Sequence, residues 1–161
     1  MGIEDLTEFE KRAVQMEYAV PLVRDLQRIL GEDVVNAALE QRIEDAVVEA
    51  RKSAFDATRI DLGEGGAATM ERYGKGIPFD YDVLTRDHDH FDVNVTRCGY
   101  AEMMERLGAR DVGHLLICHN DFPRAEQVGL ELVRTQTCMQ GGAHCDFRYQ
   151  KRGARRGADE E

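Results

Sequence analysis

Two thiols, an imidazole and a carboxylate crowd one short stretch of the chain, Arg-Thr-Gln-Thr-Cys-Met-Gln-Gly-Gly-Ala-His-Cys-Asp-Phe-Arg at residues 134–148. The reactive types there are Cys138, His144, Cys145 and Asp146. A thiolate is a strong nucleophile and a soft metal ligand, and it forms at neutral pH only beside a base or a cation. Two other segments carry comparable groups: Asn94, Arg97 and Cys98 in residues 94–98, and Cys118, His119 and Asp121 in residues 118–121. Each lies where an element ends, the place functional groups favour. His144 is a poor base for Cys145, because neighbours along a strand point to opposite faces; His119, from another segment, is the better candidate. Arg97, Arg134 and Arg148 could hold an anionic substrate. Cys118, His119 and Asp121 also make a compact metal half-site, although the paired Cys-x-x-Cys of common zinc sites is absent. No metal or other cofactor is expected, zinc being the ion such a half-site would take. The same cysteines could equally be small buried apolar side chains.

These groups need elements to position them. Around Gly141-Gly142, the alternation of Leu130, Leu132 and Val133 before and Phe147 and Tyr149 after reads as a β-hairpin. A second hairpin follows Pro78, with Phe79, Tyr81, Val83 and Thr85 on one strand and Phe91, Val93 and Val95 on the next. Its connection, Asp87-His88-Asp89-His90, reads as an exposed polar turn and not as a metal site. Between the hairpins the sequence predicts a helix over 100–107, stopped by Gly108, and another that starts at Asp111 and ends before Pro123.

Upstream, Leu6, Phe9, Ala13, Met16, Val20, Val23, Leu26, Ile29 and Leu30 recur at helical spacing over 5–30. Thr7 with Glu10 fits a capping box, Pro21 should kink or split this helix, and Gly31 ends it. Asp33 opens a second helix, striped by Val34, Val35, Ala38, Leu39, Ile43, Ala46, Val47 and Ala50. A loop carrying Gly63, Gly65 and Gly66 leads to a short helix over 67–73. It is not a phosphate loop, since no strand precedes it and no Gly-Lys-Ser/Thr closes it. The fold expected is α+β: a helical N-terminal half packed on an antiparallel sheet of about four strands, made of two hairpins with helices between them. Residues 1–150 are read as one domain, helical over 1–75 and α/β over 76–150, and residues 151–161 as a flexible, solvated, charged tail.

With 161 residues, 42% hydrophobic and 32% charged, the chain is long and apolar enough for a real core. A net charge of −10 argues against nucleic acid or an anionic membrane as partner, because both require a basic footprint. There is no apolar run of membrane-spanning length and no signal-peptide pattern at the start, so a cytoplasmic protein is expected. Four cysteines in such a chain suit reduced, ligating or catalytic roles better than a disulfide framework.

Asn94-Val95-Thr96-Arg97-Cys98, Tyr100-Ala101-Glu102, Leu107-Gly108, Cys118 with Asp121, Arg134-Thr135-Gln136-Thr137 with Gly141, and Cys145-Asp146-Phe147-Arg148 together resemble the L-2-amino-thiazoline-4-carboxylic acid hydrolase family. The resemblance covers residues 90–150. It implies a hydrolase that opens a small carboxylated heterocycle at a C–N or C–S bond by adding water to a cyclic amidine-like carbon. The family's recurring polar positions fall on Asn94, Cys98, Cys118, Asp121, Cys145 and Asp146; His119, His144 and Cys138 are not among them. On that reading Cys145 attacks the ring carbon, Asp121 or Asp146 moves protons, and Cys118 belongs to the same catalytic set. Asn94 then donates to developing negative charge, and an arginine holds the substrate carboxylate beside Cys98 and His119. Partners would be the heterocyclic substrate and, for the chain itself, a homo-oligomer. The strand, Gly turn and Cys-x-Phe strand at the end are also similar to the 4-vinyl-reductase domain, so the alternative is a module that binds a small molecule or metal as a sensor.

Overall fold

The computed structural model describes residues 2–154. Helix α1, Glu8–Leu30, starts as its sequence requires: the Thr7 side chain accepts the Glu10 N–H, and the Glu10 carboxylate accepts the Thr7 N–H at 2.8 Å. Pro21 does not split it. The proline removes the hydrogen bond to the Glu17 carbonyl, but both residues are exposed, so water can take that carbonyl. Met16, Val20 and Val23 face inward, whereas Val14, Tyr18, Leu22, Leu26, Ile29 and Leu30 are exposed. The helix is therefore apolar on two sides, and the last three members of its predicted stripe face outward.

Helix α2 is Glu32–Lys52, and α3 is Leu62–Gly74, longer at its start than the sequence predicts. Asp61 caps it by accepting the Glu64 N–H at 2.9 Å. The glycines that suggested a loop let α3 lie on the sheet instead. A Cβ on Gly66 would stand 2.4 Å from the Phe91 ring.

The fold is α+β, with one antiparallel four-stranded sheet in the order β1-β2-β4-β3. The strands are β1 (Phe79–Arg86), β2 (His90–Cys98), β3 (Leu130–Val133) and β4 (Cys145–Lys151). Three helices lie between the strand pairs: α4 (Gly99–Arg106), α5 (Arg110–Leu116) and α6 (Asp121–Gln127). Helix α5 ends before Pro123, as expected, and α6, which contains Pro123, is an additional helix that the sequence did not suggest. Proline sits in the first turn of α6, where its missing N–H has no intrahelical partner to lose. No described helix is long and apolar enough to cross a membrane.

Strand β3 does pair with β4, from Leu130 opposite Lys151 to Val133 opposite Arg148. The expected tight turn is instead the loop 134–144, with a 3-10 turn at Cys138–Gln140 and Gly141 in the left-handed region at φ 88°. The Asp87–His90 turn is also less isolated than expected. Lys151 is buried, bridges Asp89 at 3.1 Å and lies 2.8 Å from His88 Nδ1. Arg152 pairs with Glu126. Lys151 and Arg152, read as the start of the solvated tail, thus fasten β4 to its neighbours; residues 155–161 of that tail lie outside the described residues.

Two apolar clusters hold these layers. One joins Ala57, Leu62, Ala125 and Leu130 to Phe91 and Val93 of the sheet, with Phe147 and Tyr149 packed against it. The other joins Met16 and Val20 of α1 to Ala101, Met104, Val112, Cys118 and Met139, with Cys98 and Cys138 at its edge.

Candidate functional site

Register decides which reactive groups meet. Val95 lies opposite Cys145 and Asn94 opposite Asp146. Because side chains alternate, Cys145 shares a face with Val95, Val93 and Phe147, while Asp146 and Asn94 occupy the other face. Cys145 and Asp146 are adjacent in sequence and sit in different environments.

The four cysteines converge from three directions. Cys98 ends β2 and stands at the N-cap position of α4. The loop before β4 brings Cys138, whose N–H donates to Cys145 Sγ at 3.2 Å and whose thiol donates to the Val95 carbonyl at 3.3 Å. Cys118 follows α5 and lies in the helical cluster. All four lack disulfide bonds.

Their surroundings separate them as acids. The hydrogen bond from the Cys145 thiol holds Cys98 below the ordinary thiol range, against the opposing effect of burial. Cys98 forms no full side-chain capping bond, but the Ala101 and Tyr100 N–H dipoles at the start of α4 act in the same direction. Cys145 is 4% exposed, and its bond to Cys98, with burial, pushes it far up. Burial raises Cys118, 7% exposed, to about 12, with the Asp121 charge adding to the effect. Burial and then Cys145 raise Cys138 to about 11. Of the four thiols, Cys98 alone is drawn below the ordinary range, and it is only partly buried.

The other predicted residues are held by one another. Arg134 is 3% exposed and donates to Asp121 at 2.7 Å and to the Cys118 carbonyl at 2.9 Å. Its guanidinium lies 5.1 Å from the ring centres of both Phe122 and Phe147. Burial pushes the Asp121 carboxyl above its usual range, with Arg134 pulling the other way. Asp146 accepts the Thr135 N–H and hydroxyl and the Gln136 N–H at 2.6–3.1 Å. Burial pushes it up, but those bonds win and its carboxyl lies below the usual range. Asn94 Oδ1 accepts from Arg148 at 2.8 Å, and Arg148 also donates to the Val93 and Phe147 carbonyls. His119 packs edge-on against His114 and Phe122, and burial lowers its pKa.

Among the three arginines proposed for a substrate, Arg97 alone has an exposed side chain, 52%, paired with Glu102 at 2.7 Å. A cavity of about 510 Å3 opens between the start of α1 and the end of α3. Its Ile77 wall is two residues from Phe79, the strand partner of Cys98. Among the described residues, no group of three His, Cys, Asp or Glu is arranged to hold a metal ion.

Sequence reading missed the part played by Cys138, which orders Cys145, and by the Thr135 and Gln136 donors, which saturate Asp146. For Cys98 a signal was present: a cysteine directly before a helix start meets unpaired N–H groups.

Residues 7–149 match the family model described as L-2-amino-thiazoline-4-carboxylic acid hydrolase. No curated protein matches the chain. Among solved structures it is similar to the phenol-responsive sensory domain of the transcription activator PoxR with phenol, at 13% identity and a TM-score of 0.37, over 81% of this chain and 71% of that one.

Proposed function

Since the chain belongs to the L-2-amino-thiazoline-4-carboxylic acid hydrolase family, we propose that it opens the ring of a small carboxylated cyclic amidine, with Cys98 rather than Cys145 as the nucleophile. What supports this reading is placement: Cys98 is partly buried and stands at the start of α4, where the Tyr100 and Ala101 N–H dipoles favour a thiolate, whereas Cys118 and Cys145 are buried and burial works against their ionisation. For a 2-aminothiazoline-4-carboxylate the steps balance. The Cys98 thiolate adds to the amidine carbon, the ring C–S bond breaks, and the departing sulfur takes a proton from solvent. Water then adds to the same carbon and gives up its proton, and collapse expels Cys98 as thiolate. One water is consumed and an N-carbamoyl product is released.

The remaining residues take supporting parts. The Cys145 thiol favours the ionised form of Cys98. Arg97 suits the substrate carboxylate, because an exposed ion pair such as Arg97–Glu102 is worth little and exchanges readily. Arg134, Asp121 and Asp146 position the loop and act through it. The test is Cys98→Ser, which keeps the side-chain shape but not the thiolate. It should abolish turnover of 2-aminothiazoline-4-carboxylate while calorimetry still detects binding. Full activity in Cys98→Ser with loss in Cys145→Ser would return the nucleophile's role to Cys145.

A further inference from the structure

Helix α1 turns one apolar face to the core and another to solvent. Met16, Val20 and Val23 are buried, while Val14, Tyr18 (77% exposed) and Leu22 (48% exposed) line the opposite side at every fourth residue, continued by Leu26 and Ile29. The inner stripe suffices to hold the helix to its own domain, and the outer one is apolar surface that water covers at a cost. Charges close the outer line at both ends. Lys11 stands two turns before Tyr18 and Asp25 two turns after it, on the same face. Each is held by an exposed neighbour on its own helix, Lys11 by Glu8 at 3.0 Å and Asp25 by Arg28 at 2.9 Å. Exposed pairs of that kind exchange at little cost.

This pattern is complementary to its own reverse. We propose that two copies of the chain associate through the outer faces of α1, antiparallel about a two-fold axis at Tyr18. Tyr18 then meets the partner's Tyr18, Val14 meets the partner's Leu22 and, at each end, Lys11 meets the partner's Asp25. A parallel pairing in the same register sets like charge on like charge at both ends, so the charges select the direction. An anionic membrane as the occupant is opposed by the net charge of −10. That charge also opposes self-association at low salt, and screening at about 0.15 M salt relieves it. The 23 residues of α1 make a face of roughly 34 Å by 10 Å, under half of the roughly 800 Å² that each partner gives a standard interface. The dimer is therefore reversible and concentration-dependent. Nothing in this pairing depends on the ring-opening chemistry, and its test does not use activity.

Sedimentation velocity of the full chain, from micromolar to near-millimolar concentration, should show a monomer–dimer equilibrium. Leu22→Glu places a charge inside the outer line at an already exposed position. It should leave a monomer at every concentration, with helix content by circular dichroism unchanged. Lys11→Glu alone and Asp25→Lys alone should each weaken the dimer about tenfold, since each alters two end pairs. The two exchanges together should restore it, because the partner's charges are exchanged as well. A monomer at every concentration of the unsubstituted chain would overturn the proposal, as would a dimer that Leu22→Glu leaves intact. Single exchanges without effect, or a double exchange that restores nothing, would overturn it too, because the antiparallel register would be wrong. The charge exchanges lie on the surface, so they decide the matter even where Leu22→Glu folds poorly.

Discussion

The cysteine corner and the arginine cage beside it use the residue types that sequence marks as reactive, yet they treat charge in opposite ways. In the cage, Arg134 is closed in by Asp121, a carbonyl and two rings, and Asp146 spends its oxygens on Thr135 and Gln136. Each charge is answered inside the protein, so the groups fix the 134–137 loop and have little left for a ligand. In the corner, one charge-prone atom, the sulfur of Cys98, is stabilised by weak donors and left partly open. Saturated polar groups build structure; a stabilised but unsaturated one is available for chemistry.

The largest effect should come from opening the cage. Arg134→Met removes a buried guanidinium from Asp121, the Cys118 carbonyl and two rings, and breaking a pair whose cation is buried costs about 3–5 kcal/mol, read from urea unfolding. A small stability loss with a raised KM would instead make Arg134 a substrate ligand. Next is Asp146→Ala, which orphans two N–H groups and a hydroxyl and should cost about 2–4 kcal/mol. The Asp146 carboxyl lies below the ordinary carboxylate range, so its contribution is complete above about pH 4, the usual unfolded value. It vanishes as pH falls through the lower folded value, and Asp146→Asn should flatten that acid limb of the stability profile.

The corner predicts a smaller shift, in pH and not in stability. In the proposed mechanism the Cys98 thiolate is the active form, and its pKa lies below the ordinary thiol value, so kcat/KM should rise with pH through a midpoint below that of an ordinary thiol, about 8.5. Cys145→Ala removes one donor to a charged sulfur, roughly 1.5 kcal/mol, and should move that midpoint up by about one unit. An unmoved midpoint would detach Cys145 from Cys98. The smallest effect belongs to His88→Ala. Lys151 keeps its bridge to Asp89, and the loss should stay near the roughly 0.5 kcal/mol of surface changes.

Much of this was legible in the sequence. Period-two alternation marks the four strands, the capping box fixes the start of α1, and the three reactive segments stand out by residue type alone. Four features were not legible, each for a physical reason. Pro123 looks like a stop, but it is equally at home in a first turn, and only the surrounding contacts choose. The glycines of α3 look like a loop because sequence does not show the Phe91 ring that needs the space. The bonds that saturate Asp146 are hidden because its type is visible in the sequence and its donors, Thr135 and Gln136, are not. The ranking of the thiols was hidden for the same reason, since Cys145 and Cys98 differ in burial and partners rather than in residue type.

The strand order carries a consequence for the time course of folding. Strands β1 and β2 are a local pair, but β2 meets β4 only after the intervening chain has folded back between them. Pairings distant in sequence form late. Until β4 docks, Cys98 lacks the influence of Cys145, and only the N–H dipoles at the start of α4 lower its pKa. A chain still emerging during synthesis therefore carries a differently tuned Cys98, and its final surroundings are complete only with the zipping of the sheet.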